Sequence, residues 1–167
     1  MIPSSQSDKC TEVRAEIDRL NAEAPTADRL MEGITRLLHG KMLKYNWVGF
    51  YMLQHGGKEP ILVLGRYQGA MTPHTRIALN QGICGAAAST GKTVVVDDVS
   101  KDSRYLACSL ETKSEIVVPV FTHEEVAGEL DIDSHFRAAF GDEDRGLVEY
   151  CAHLVGERLE AEQKTKS

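Results

Sequence analysis

Apolar residues recur at helical spacing in three stretches of the chain, and the segments between them alternate or run apolar as strands do. Cys10, Val13, Ile17 and Leu20 mark one face of a helix expected over residues 8–23. Pro25 and Thr26 break that pattern, and Thr26 caps a second helix with the stripe Leu30, Ile34, Leu37 and Leu38, ending near Gly40. The third stripe, Leu147, Cys151, Leu154, Val155 and Leu159, marks a helix over residues 142–162. Between the second and third helices, strands are expected over 45–53 and 60–67, turning at Gly56-Gly57. A short strand over 75–79 and a small Ala-rich helix over 83–89, entered through Gly82, come next. A strand over 93–96 leads into a long polar loop, 97–113, and a second hairpin pairs 115–121 with 126–134 across residues 123–125.

Helices at both ends and sequential strands between them predict an α+β domain built on one antiparallel sheet. The terminal helices cover one sheet face and leave the other to the loops, where a small-molecule pocket belongs. Residues 1–25 form an N-terminal helix for packing or a dimer contact, residues 26–162 the domain proper, and residues 163–167 a disordered tail.

Bulk properties narrow the function. A length of 167 residues fits one domain, and a composition 42% hydrophobic and 26% charged is that of an ordinary globular chain. A net charge of -6 with no lysine or arginine cluster argues against a nucleic-acid partner. The first residues, Met1 to Gln6, carry neither the basic start nor the apolar core of a secretory signal, and no apolar run is long enough to cross a membrane. Cytoplasmic residence is expected. The four cysteines form no Cys-x-x-Cys pair and the six histidines show no ligand spacing, so no metal site is indicated. In a reducing compartment such thiols stay free unless one is redox-active.

The segment Ala86 to Thr93 imitates a phosphate-binding loop, but such a loop follows a strand and opens a helix. Here a helix precedes Gly91 and a strand follows, which argues against nucleotide hydrolysis. Cys10 and Cys151 lie on helix stripes and read as core or interface residues. Cys84 lies at a helix N-terminus, where the dipole lowers a thiol's pKa; packing as a small residue fits it equally. Cys108 lies in the polar loop with Arg104 and Lys113 nearby, and positive neighbours favour the reactive thiolate; an incidental loop thiol is the plain alternative. Asp131 and Asp133 are two apart on a strand and share a face, and the hairpin brings Glu115 near Asp133. Three carboxylates on one face repel and raise at least one pKa, which suits cation binding or a held proton; a solvated strand face is the plain alternative. Trp47 and Tyr51 share a face of the first strand and either wall a pocket or pack in the core.

Taken together, Asn46 to Tyr51, Gly82 to Gly85, Ala107-Cys108, Ser114 to Pro119 and Leu130 to Ser134 resemble the free methionine-(R)-sulfoxide reductases, single GAF-domain enzymes. The resemblance covers about residues 26–160. It implies a six-stranded antiparallel sheet flanked by the terminal helices, and a homodimer. By position it makes Cys108 the catalytic cysteine, Cys84 a second cysteine active in resolution, Glu115, Asp131 and Asp133 the substrate-holding carboxylates, and Trp47 and Tyr51 pocket aromatics. The implied reaction passes through a Cys108 sulfenic acid, with one of the carboxylates donating a proton. No bound cofactor is implied; thioredoxin with NADPH, or a small thiol, is the reductant. The family's third cysteine, ten residues before Cys84, is His74 in this chain, and a histidine forms no disulfide. Resolution then falls to Cys84 or an external thiol, and a non-catalytic GAF sensor module is the alternative.

Overall fold

The computed structural model describes residues 6–106 and 110–166. Cys108, the expected nucleophile, lies outside the described residues.

Two helices open the chain, α1 (Gln6–Glu23) and α2 (Ala27–Lys41). The Thr26 hydroxyl accepts from the Arg29 amide at 3.1 Å, supplying the expected cap. Strands β1 (Trp47–Gln54), β2 (Ile61–Gln68) and β3 (Arg76–Ala78) follow, then helix α3 (Gly82–Thr90) and strand β4 (Val94–Val96). After the long loop, β5 (Ser114–Thr122) and β6 (Glu125–Ser134) form the second hairpin, and α4 (Asp142–Lys166) closes the described chain. The six strands make one sheet in the order β3-β2-β1-β6-β5-β4, each pair antiparallel. Both edge strands are three residues long, which limits the exposed backbone that a sheet edge offers.

Alternation along the central strands divides the interior into two cores. Val48 and Phe50 of β1, Ile116, Val118 and Val120 of β5, and Leu130 and Ile132 of β6 point to the face covered by α1, α2 and α4. Cys10 and Cys151 lie in this core, as their helix stripes predict. Trp47 and Tyr51 of β1, Val117 of β5 and Leu62 of β2 point to the other face, against Ile83, Cys84, Ala87 and Ala88 of α3. One face is thus sealed by long helices, and the other by a short helix and loops.

Two local details, the start of β1 and the end of α4, differ from expectation, and the β5–β6 turn falls where expected with unusual residues. β1 begins at Trp47 rather than Tyr45, because Tyr45 turns into the helical core and donates its hydroxyl to Asp144 Oδ1 at 2.6 Å. The tight turn between β5 and β6 uses His123 and Glu124, both in the left-handed region (φ 50° and 68°), without the usual Asn-Gly. The end of α4 anchors this turn: Glu160 Oε1 accepts from the His123 amide at 2.6 Å, and Gln163 Oε1 lies 2.9 Å from His123 Nε2. With that anchor and no helix breaker after Glu162, α4 continues through Lys166, where a disordered tail was expected.

Candidate active site

The loop-covered face of the sheet carries the candidate chemistry. On β6, Glu129, Asp131 and Asp133 alternate along one face. The register pairs Glu115 of β5 with Asp133, and on the other side pairs Trp47, Gly49 and Tyr51 of β1 with Asp133, Asp131 and Glu129. Cys84, in the first turn of α3, hangs over this stripe and donates its thiol to Asp131 Oδ2 at 3.5 Å. Four carboxylates and one thiol from three elements therefore meet below the surface. None of the five residues is more than 6% exposed, so the bland alternative, a solvated strand face, fails.

The aromatic residues are held in position. The Trp47 indole nitrogen donates to the Ala70 carbonyl at 3.0 Å, and the Tyr51 hydroxyl donates to the His74 carbonyl at 2.7 Å. Trp47 and Tyr51 ring centroids lie 6.2 Å apart, and Tyr67 stacks on Trp47 with centroids 5.6 Å apart. Gly49 makes room for the indole, since a Cβ there would collide with the Trp47 ring. Trp47, Tyr51, Asp131 and Asp133 line a cavity of about 120 Å³ together with Met71, Thr112 and His135 from the surrounding loops.

Burial raises the pKa of every acid in the cluster. Glu115 is held well above the ordinary carboxylate value by desolvation first, then by the charges of Asp131 and Asp133. Asp133 is also held well above, by desolvation and then by Asp131. Asp131 rises less, because hydrogen bonds from Glu115 and Cys84 favour its charged form against the desolvation. Glu129 is raised well above by burial and the Asp131 charge, with the nearby Cys84 thiol partly opposing. No lysine or arginine contributes to any of these shifts.

The same environment corrects the reading of Cys84. A helix N-terminus argues for a lowered thiol pKa, yet burial and the adjacent Asp131, Glu129 and Glu115 push it well above the ordinary value. Desolvation and negative charge outweigh the dipole of a nine-residue helix. Cys84 is therefore a resting thiol, not a thiolate. His74, which stands where the third cysteine was expected, lines a small inner cavity beside Cys84.

Glu129 escaped the sequence reading altogether. The signal was present: the two-residue alternation that joins Asp131 to Asp133 extends back to Glu129.

The chain matches the GAF domain model over residues 26–159. It is 36% identical over 119 residues to the free methionine-R-sulfoxide reductase of Escherichia coli, covering 71% of this chain and 69% of that one. It is 40% identical over 111 residues to the free methionine-R-sulfoxide reductase of Saccharomyces cerevisiae, covering 66% of this chain but only 61% of the yeast protein. Its fold superimposes with a TM-score of 0.88 on the free methionine-R-sulfoxide reductase of Neisseria meningitidis solved with its substrate, at 32% identity over 99% of this chain and 96% of that one.

Proposed function

The chain belongs to the GAF-domain family and, within it, to the free methionine-R-sulfoxide reductases, and from that membership we propose that it reduces free L-methionine-(R)-sulfoxide to methionine. The observation that carries the proposal is the buried cluster of carboxyl groups, with Asp131 the acid whose charged form is most favoured, beside an aromatic-walled cavity. An ammonium entering this cavity meets carboxyl groups that have no basic partner of their own. A free amino acid brings that ammonium; a peptide-bound methionine does not. Trp47 and Tyr51 offer a polarisable wall to the sulfur-bearing side chain.

The Cys108 thiolate attacks the sulfoxide sulfur. Glu115 or one of the aspartates, each holding its proton above the ordinary range, protonates the sulfoxide oxygen. Methionine leaves, and Cys108 retains the oxygen as a sulfenic acid. The Cys84 thiol condenses with it to a disulfide and releases water; an external thiol is the other route. Thioredoxin, fed by NADPH, or a small thiol reduces that disulfide with two electrons and two protons. Leu106, two residues before Cys108, packs at about 3.0 Å from where a Cβ on Gly82 would lie, two residues before Cys84, which supports an approach of the two loops. We propose a cytoplasmic homodimer, in which residues 1–25 pack on the domain or contribute to the dimer contact.

With methionine-(R)-sulfoxide, thioredoxin, thioredoxin reductase and NADPH, the wild type should consume NADPH, and Cys108→Ser should not. Turnover by Cys108→Ser, or none by the wild type with any thiol, returns the chain to the sensor reading. After one equivalent of substrate, peptide mapping should find Cys84 joined to Cys108; a persistent sulfenic acid or a mixed disulfide with added thiol would make Cys84 a packing residue.

A further inference from the structure

Adjoining the aromatic-walled cavity lies a second one of about 20 Å³. Cys84, Glu115, Asp131, Tyr51 and His74 line it, with apolar side chains of β3 and α3. A cavity needs roughly 10–15 Å³ to hold one water molecule, so this chamber has room for one water or one ion. The two cavities share Tyr51 and Asp131.

The donors around the chamber have metal-ligand spacing. Cys84 Sγ and one carboxylate oxygen each of Glu115 and Asp131 lie within 4.8 Å of one another, all buried. Tetrahedral zinc, with Zn–S of about 2.3 Å and Zn–O of about 2.0 Å, separates its sulfur and oxygen ligands by roughly 3.5 Å. The separation of Cys84 Sγ from Asp131 Oδ2 is 3.5 Å. A further oxygen adds an independent observation. Asp131 Oδ1 is buried with no hydrogen-bond partner, on a side chain that lines the chamber and is only 2% exposed. An orphaned buried carboxyl oxygen is costly, and a cation relieves it. Spacing along the chain hides this donor set, because its members come from α3, β5 and β6.

We propose that the inner cavity is a binding site for a single borderline divalent cation of the zinc class, held by Cys84 Sγ and the carboxylates of Glu115 and Asp131, with Glu129 balancing its charge. Binding displaces the thiol proton to solvent. The bound cation occupies the thiol needed for disulfide formation and a carboxylate shared with the outer cavity, so zinc acts as an inhibitor. The site stands independently of the turnover proposed above, since its test contains no sulfoxide and no reductant chain.

Cobalt(II) is the probe. Titrated into the reduced full-length protein, it should give a thiolate-to-cobalt charge-transfer band that saturates at one equivalent and is displaced by zinc. Cys84→Ser should abolish the band and Cys108→Ser should keep it. Glu129→Gln, which preserves shape, should keep the band and weaken binding roughly tenfold or more. Circular dichroism of each variant checks that the fold is intact. No band in the wild type, a band that survives Cys84→Ser, or one lost in Cys108→Ser would overturn the site.

Discussion

At the residue scale, the decisive property of this site is which groups keep their protons. A carboxyl in water is ionised at neutral pH, but Glu115 is desolvated and faces Asp131 and Asp133, so its neutral form is favoured. That makes Glu115 a donor available to a developing oxyanion. Glu115→Gln should lower kcat/KM for methionine-(R)-sulfoxide by about 10²–10⁴-fold, the usual contribution of a general acid. The pH profile separates this role from a structural one. A raised pKa means that activity requiring the proton falls as pH climbs through the raised value, and in the Gln variant that alkaline limb should disappear. A loss under threefold, with the limb intact, assigns the proton to one of the aspartates. Cys84 teaches the same lesson in reverse. Its helix position alone argues for a thiolate; its buried neighbours, invisible in local sequence, hold it as a thiol.

At the element scale, β6 carries most of the site, because alternation puts Glu129, Asp131 and Asp133 on one face while Leu130 and Ile132 anchor the strand in the helical core. β1 supplies the aromatic wall, and its geometry depends on Gly49 lying between Trp47 and Tyr51. Gly49→Ala should push the indole out of place, raise KM about tenfold and leave kcat within a few-fold, since the thiols and acids are untouched. An equal fall in kcat at unchanged KM would mean that Trp47 orients the reacting groups instead. The elements were legible because their signals are local: the stripes of α1, α2 and α4, the Thr26 cap, and the β5–β6 hairpin that sets Glu115 against Asp133. What stayed hidden depends on long-range closure. The entry into β1 shifted because Tyr45 finds Asp144 a hundred residues on, and α4 ran on because its last turns hold the His123 turn. Glu129 continues the same alternation, but its burial depends on α3 packing over β6, which local sequence does not show.

At the scale of the whole molecule, five acids raised together couple the site to the stability of the fold. Glu115, Glu129, Asp131, Asp133 and the Cys84 thiol all have folded pKa values above their ordinary ones. The folded chain therefore binds more protons than the unfolded chain over the intervening pH range. The sign follows: the stabilisation from the four carboxyls is complete below their ordinary pKa of about 4 and is withdrawn as pH rises toward the raised values, whereas that from the Cys84 thiol is withdrawn only above its ordinary value of 9.0. Each proton so retained contributes a slope of about 1.4 kcal/mol per pH unit. The net charge of -6 acts in the same direction through self-repulsion, so wild-type data alone do not isolate the cluster. Glu129→Gln isolates it, because the substitution removes one buried acid and leaves the rest of the charge pattern in place. Melting followed by calorimetry from pH 5 to pH 8 should show the wild type losing stability steadily and Glu129→Gln losing less. The two curves should diverge most at the alkaline end, where the variant is the more stable. Curves that stay parallel, or a wild type that gains stability across this window, would mean that Glu129 is charged in the folded chain and has a partner.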